Sequence, residues 1–138
     1  MSDTTAALFT VEAFYNAFVT RDFDSLRTAW SATAPLSCIH PGAEPLTTRE
    51  EVMESWQAIL ANPQTPEIRC LGPQVMVHGD MAIVTCHEDV DGDILCATNV
   101  LVREGAVWKM VHHQAGPLAY VPEFMPEAEE TGGSGSIN

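Results

Sequence analysis

The sequence predicts one α+β domain, a helical first half followed by an antiparallel sheet, and three observations carry that prediction. Apolar residues recur at spacings of three and four through residues 4–31, which is the helical period. After residue 67 the chain breaks into strand-length runs divided by short Gly- and Asp-bearing segments, the composition of hairpin turns. The chain has 138 residues, 46% hydrophobic and 18% charged, which suits a single globular core and leaves no room for a second domain of ordinary size.

The elements follow in order. Leu8, Val11, Phe14, Tyr15, Phe18, Leu26, Ala29 and Trp30 mark the apolar side of the helical stretch, with one wider gap at Arg21-Asp22-Phe23-Asp24. Asp22 or Asp24 is suited to cap a second helix there, so two helices joined by a tight corner are expected. Residues 35–41 (P-L-S-C-I-H-P) read as a short strand running into a Pro-Gly turn. Thr47 or Thr48, followed by Glu50 and Glu51, opens a third helix with Val52, Trp56, Ile59 and Leu60 on its apolar face, ending near Asn62-Pro63. Four strands are expected at residues 67–78, 81–90, 94–103 and 107–117, joined as an antiparallel meander. Residues 122–138, with acidic residues and G-G-S-G-S, are expected to be a flexible tail beyond a domain of residues 1–121.

Composition narrows the function classes. Six Lys plus Arg against nineteen Asp plus Glu give a net charge of −13, so nucleic acid and anionic membrane surfaces are repelled and neither is expected as a partner. The longest apolar stretch, residues 81–86, is far short of the roughly 18 residues that cross a bilayer. Residues 1–10 carry no basic segment and no apolar run of signal length, so a soluble cytoplasmic protein is expected. Cys38, Cys70, Cys86 and Cys96 lie far apart in strand-like stretches and read as reduced core cysteines. No zinc-type Cys/His spacing and no phosphate-cradling glycine loop occur, so no metal and no cofactor are expected. Several strands are apolar on both faces: Ile83, Val100, Val102 and Val111 share strands with Val84, Leu101 and Met110. An antiparallel sheet with one wet face alternates instead, so a homodimer formed through the sheet is expected.

Four passages resemble the nuclear-transport-factor-2-like superfamily, in its SnoaL-like and ketosteroid-isomerase-like branch: F-Y-N-A-F-V-T-R-D-F-D-S-L at 14–26, S-C-I-H-P-G-A-E-P-L at 37–46, V-H-G-D-M-A-I-V-T-C at 77–86, and N-V-L-V-R-E-G-A-V-W-K-M-V-H-H at 99–113. The resemblance implies a strongly curved sheet wrapped around three helices to form a cone with an apolar pocket. In the isomerases a helix tyrosine and a protonated aspartic acid stabilise an enolate while another aspartate shuttles the proton. The resemblance puts His40 at the shuttle position, Phe14 at the tyrosine and Asn99 near the second donor. A phenyl ring donates no hydrogen bond, so steroid isomerisation is disfavoured. Tyr15, one helix position on, is rotated by about 100 degrees and is expected to leave that line.

Pairing the strands through Glu104-Gly105 puts Asn99 and Leu101 on one face with Trp108, Met110, His112 and Gln114, and Lys109, Val111 and His113 on the other. A two-residue turn at Asp91-Gly92 adds Cys86 and Glu88 to that face, and a three-residue loop would substitute His87 and Asp89; the shorter turn is preferred. The candidate catalytic residues are therefore His40, Glu88, Asn99 and His112. Phe14, Trp30, Trp56, Cys86, Leu101, Trp108 and Met110 are the candidate ligand-binding walls. The expected ligand is a small apolar carbonyl compound, and the expected chemistry a proton transfer of isomerase, cyclase or dehydratase type. The same residues also fit a non-catalytic binding or association module, and each polar one also fits an ordinary hydrogen-bonded place in a core.

Overall fold

The computed structural model describes residues 1–120 and Pro122, so the expected tail lies almost wholly outside the described residues. Ser2 caps helix α1 (Asp3–Thr20), its hydroxyl accepting from the Thr5 amide at 3.1 Å. Ala7, Thr10, Val11, Phe14, Tyr15, Ala17 and Phe18 are buried along it, a face wide enough to hold adjacent residues. Arg21 closes the helix in the left-handed conformation (φ 58°). Asp22, of the two candidates, caps α2 (Phe23–Ala29). After β1 (Ser37–Ile39), Thr48 caps α3 (Arg49–Ala61), which buries Val52, Trp56 and Leu60 at intervals of four.

The sheet contains β1, β2 (Ile68–His78), β3 (Met81–Val90), β4 (Asp93–Glu104) and β5 (Val107–Pro117), in the order β1-β5-β4-β3-β2. The last four strands form the expected meander through three two-residue turns, at Gly79-Asp80, Asp91-Gly92 and Gly105-Ala106. Asp91 (φ 56°) and Gly92 (φ 97°) both have positive φ, as a tight hairpin turn that follows the strand twist demands. One feature differs from a purely antiparallel sheet: β1 pairs with β5 in parallel, Ser37 opposite His112 and Cys38 opposite His113. Parallel neighbours require a long connection, and α3 with the first three strands of the meander supplies it.

Two irregularities bend the sheet around the helices. On β2, Gly72 (φ +59°) and Pro73 stand between the paired residues Leu71 and Gln74, opposite the single residue Cys86 of β3. On β5, Val100 pairs with His112 but Leu101 pairs with Met110, so Val111 is the extra residue. Inside the curve α1 packs on β2, β3 and β5. Phe14 is fully buried, with ring centroids of Tyr15, Phe18, Trp30, Trp56 and His113 at 4.9 to 6.2 Å. Among the described residues no helix is long and apolar enough to cross a membrane.

Candidate functional site

Alternation along β3 turns Ala82, Val84, Cys86 and Glu88 toward the helices. Glu88 is 3% exposed, an unusual place for a carboxyl group unless it is hydrogen-bonded. Its partner is the Tyr15 hydroxyl, which donates to Oε2 at 2.7 Å. Tyr15 in turn accepts from Asn99 Nδ2 at 3.3 Å, and Asn99 Oδ1 lies 2.7 Å from His113 Nδ1. An amide oxygen only accepts, so Nδ1 of His113 carries the proton and Nε2 is bare. The donors thus point one way, from His113 through Asn99 and Tyr15 to Glu88. Burial pulls the His113 imidazole down to about 3, so it is neutral at pH 7. Its 3.6 Å approach to Glu88 is therefore not an ion pair at that pH. Burial raises the Glu88 carboxyl above the usual range, partly opposed by the Tyr15 hydrogen bond. Burial, then the Glu88 charge, keeps the Tyr15 phenol protonated.

His40 stands across the cavity at the end of β1. Its Nε2 is 2.8 Å from the Ser55 hydroxyl, and that hydroxyl donates its single proton to the Val52 carbonyl at 2.7 Å. Ser55 must then accept from His40, which puts the proton on Nε2 and leaves the Nδ1 lone pair free. Burial lowers the His40 pKa, so the ring is a neutral base at pH 7. Its edge meets Trp56 at 4.7 Å between centroids. Between these groups lies a cavity of about 130 Å³ with Phe14, Phe18, Trp56, Ile59, Ile68, Val90, Leu95 and Ala115 as apolar walls, and Tyr15, His40, Glu88 and His113 as polar points. Among the described residues no Lys or Arg lines it.

Several expected residues fall elsewhere. His112 is turned away from Asn99, its Nδ1 2.7 Å from the Ser37 hydroxyl, and His113 takes the inward place. The extra residue at Val111 is the cause: Trp108 and Met110 face inward before it, His113 and Ala115 after it. Gln114 is exposed for the same reason. Tyr15 is not displaced from the site as the 100-degree rotation suggested, because the curved sheet embraces α1 on both sides of Phe14. Leu101 and Met110 are fully buried core, and Trp30 packs behind Phe14 and Trp56, so none of the three lines the cavity. Trp108 borders a different groove of about 280 Å³, with Phe9, Ala13, Thr28 and Val107. Among the described residues Lys109 is the ionisable side chain on that groove, it donates to the Thr28 carbonyl, and no acid–base pair of theirs faces it. Phe14 and Trp56 line the cavity, while Asn99 and Cys86 lie beneath it, the latter with its sulfur 3.3 Å from the Tyr15 hydroxyl. Among the described residues no three His, Cys, Asp or Glu side chains are grouped to hold a metal ion.

Residues 8–120 match the SnoaL-like domain. The chain belongs to the SnoaL-like family. Its mixed five-stranded sheet curved around three helices is the cone of the nuclear-transport-factor-2-like superfamily. Among solved structures, this SnoaL-like chain is similar to a candidate dehydratase of that superfamily from Streptomyces avermitilis, with 32% identity and a TM-score of 0.75 over 86% of this chain and 97% of that one. It is also similar to a Thiobacillus denitrificans protein described as a candidate calcium/calmodulin-dependent protein kinase type II association domain, with 28% identity and a TM-score of 0.68 over 79% and 92% of the two chains. Among curated proteins it is 29% identical over 118 residues to the F-box protein SKIP8 of Arabidopsis thaliana, covering 83% of this chain and 51% of that protein. The chain thus spans about half the length of that relative.

Proposed function

We propose that this SnoaL-like domain binds a small neutral carbonyl compound and moves a proton at the carbon beside the carbonyl, with Glu88 as the proton carrier. The observation that carries this reading is the one-way hydrogen-bond chain ending on a buried carboxyl group that faces a cavity. A carboxyl raised above its usual range gives up a proton less readily than an exposed one and is better matched to taking a proton and returning it. In an isomerisation the proton returns to a neighbouring carbon; in a dehydration it goes to the departing hydroxyl, which leaves as water. The free Nδ1 of His40 accepts from a substrate hydroxyl and orients it, or serves as a second base. The likeness to the Streptomyces candidate dehydratase favours the second outcome.

Size and charge narrow the ligand. The cavity of about 130 Å³ is below the roughly 300 Å³ where drug-sized sites begin. A single ring or short chain suits it, and a fused four-ring skeleton does not. With no cation on the wall and a carboxyl at its floor, acidic ligands are disfavoured. The test is exchange of protons beside the carbonyl in heavy water, followed by proton NMR on a panel of small cyclic ketones and hydroxyketones. Faster exchange than in buffer, removed by Glu88→Gln, supports the reading. Binding of panel members without any accelerated exchange contradicts it.

The outer face of the sheet supports a second reading, self-association. Met76 (49% exposed) and Met81 (40%) lie there beside Ile83, Val100 and Val102. A second copy of this chain is the proposed cover, in keeping with the likeness to a candidate association domain. Ile83→Lys is expected to shift a dimer to monomer in native mass spectrometry, and a monomeric wild-type protein contradicts the proposal. A cytoplasmic location is likewise proposed from the reduced cysteines.

A further inference from the structure

Glu88 lacks the partner that a buried carboxylate ordinarily has. Among the described residues its hydrogen bond comes from the Tyr15 phenol, and its ion-pair candidate, His113, is neutral at pH 7. Among those residues no Lys or Arg lines the cavity that both groups border. A carboxylate taken out of water without a countercharge is costly, so the site favours an occupant that brings one.

His113 makes a second, independent demand. The ring is 3% exposed, its Nδ1 proton is spent on Asn99, and Nε2 carries a lone pair with no hydrogen-bond partner. Among the described residues, the buried polar side-chain atoms closed in by protein without a partner are the indole nitrogens of Trp30 and Trp56. Nε2 of His113 is not one of them, so it opens on the cavity that the ring lines. It stands 3.6 Å from Glu88 Oε2. With the carboxyl ionised, these are two acceptors facing each other, and a single nitrogen that carries two N–H bonds satisfies both.

We propose that this cavity takes a small primary or secondary organic ammonium, whose nitrogen donates to Glu88 Oε2 and His113 Nε2 while its ring or short chain lies among Phe14, Phe18, Trp56 and Ile59. Hydrogen bonds between ionised partners are the strong ones, and aromatic walls suit an organic cation. The net charge of −13 draws cations toward the protein, and about 130 Å³ keeps the occupant small. A quaternary ammonium has no N–H to give and is not expected. Neither is a metal ion, since among the described residues no three His, Cys, Asp or Glu side chains are grouped to hold one. The proposal rests on the cavity described above and not on proton transfer within it.

The test is an NMR titration of full-length, nitrogen-15 labelled protein at pH 7 and physiological salt with three probes of similar size. Cyclopentylamine is a primary ammonium at that pH, cyclopentanol is its neutral counterpart, and N-methylpyrrolidine is a cation with a single N–H. Cyclopentylamine is expected to bind about tenfold more tightly than cyclopentanol, the gain of one charge-assisted hydrogen bond over a neutral one, with N-methylpyrrolidine between them. Glu88→Gln keeps the shape, removes the charge and is expected to remove the preference for the amine. In the wild type, nuclear Overhauser contacts from the amine's ring protons to Phe18 and Trp56 are expected, and they decide the matter should the variant fail to fold. No binding of the amine, equal affinity for amine and alcohol, a preference that Glu88→Gln retains, or amine bound without those contacts, as a surface cation on an acidic protein, would each overturn the proposal. Amine binding needs no turnover, so proton exchange beside a carbonyl can fail while this preference stands, and exchange without the preference strikes this proposal alone.

Discussion

His112 and His113 are neighbours in β5, yet they stand in different chemical surroundings. His113 is 3% exposed, neutral, and the first donor of the chain that ends on Glu88. His112 is half-buried on the other face, where it meets Ser37 of the parallel strand β1. Nothing in either side chain decides this difference; one unpaired residue, Val111, reverses the alternation between them. Burial lowers the pKa of both imidazoles, but it takes the fully enclosed His113 down to about 3 and fixes its tautomer through Asn99, whereas half-buried His112 keeps a hydrogen bond at a strand junction. A bulge therefore chooses which of two identical residues enters the site, and the site's chemistry depends on backbone count as much as on composition.

Variants at both faces sharpen that contrast. The largest effect is expected at the inward end: Glu88→Gln should slow carbonyl-side proton exchange about 100-fold or more, measured by NMR in heavy water, because it deletes the proton carrier. Next is the pH dependence of stability. A histidine whose folded pKa is depressed resists protonation that the unfolded chain accepts, so its contribution is lost as pH falls. For His113 the window opens near 6.5 and closes near 3. Chemical denaturation across that range should show stability falling with acid by about 1 kcal/mol per pH unit at its steepest. His113→Asn should flatten the slope, and His112→Asn should change it less. Tyr15→Phe leaves the Asn99 amide and the Glu88 carboxyl without their shared partner, and urea denaturation should register a loss of about 1–3 kcal/mol. The smallest effect belongs to the outer face: His112→Ala should cost about 1 kcal/mol and leave proton exchange within a factor of two or three of wild type.

The sequence carried most of the framework in its periodicities. The hairpin turns, the three capped helices and the inward facing of Glu88 follow from Gly-Asp placement, cap residues and strand alternation. The parallel pairing of β1 with β5 is less visible, since a three-residue strand states no partner in its sequence. The exchange of His112 for His113 was hidden altogether. Val111 is an ordinary strand residue, and unlike Gly72 on β2 it bears no mark of a bulge. Tyr15 had a readable signal, the breadth of the apolar face on α1, but its importance depends on how far the sheet curls around that helix. Neither fact is local, and so the hydrogen-bond chain was legible only in part, through Glu88 and Asn99.

Titration of the Glu88 carboxyl carbon by NMR on carbon-13 labelled protein, assigned with Glu88→Gln, tests the central claim most directly. The account predicts a midpoint above the ordinary value of 4.5, set by burial, and a further rise in Tyr15→Phe because the hydrogen bond that favours the carboxylate is gone. A midpoint at or below 4.5, or one that Tyr15→Phe leaves unmoved, would contradict it.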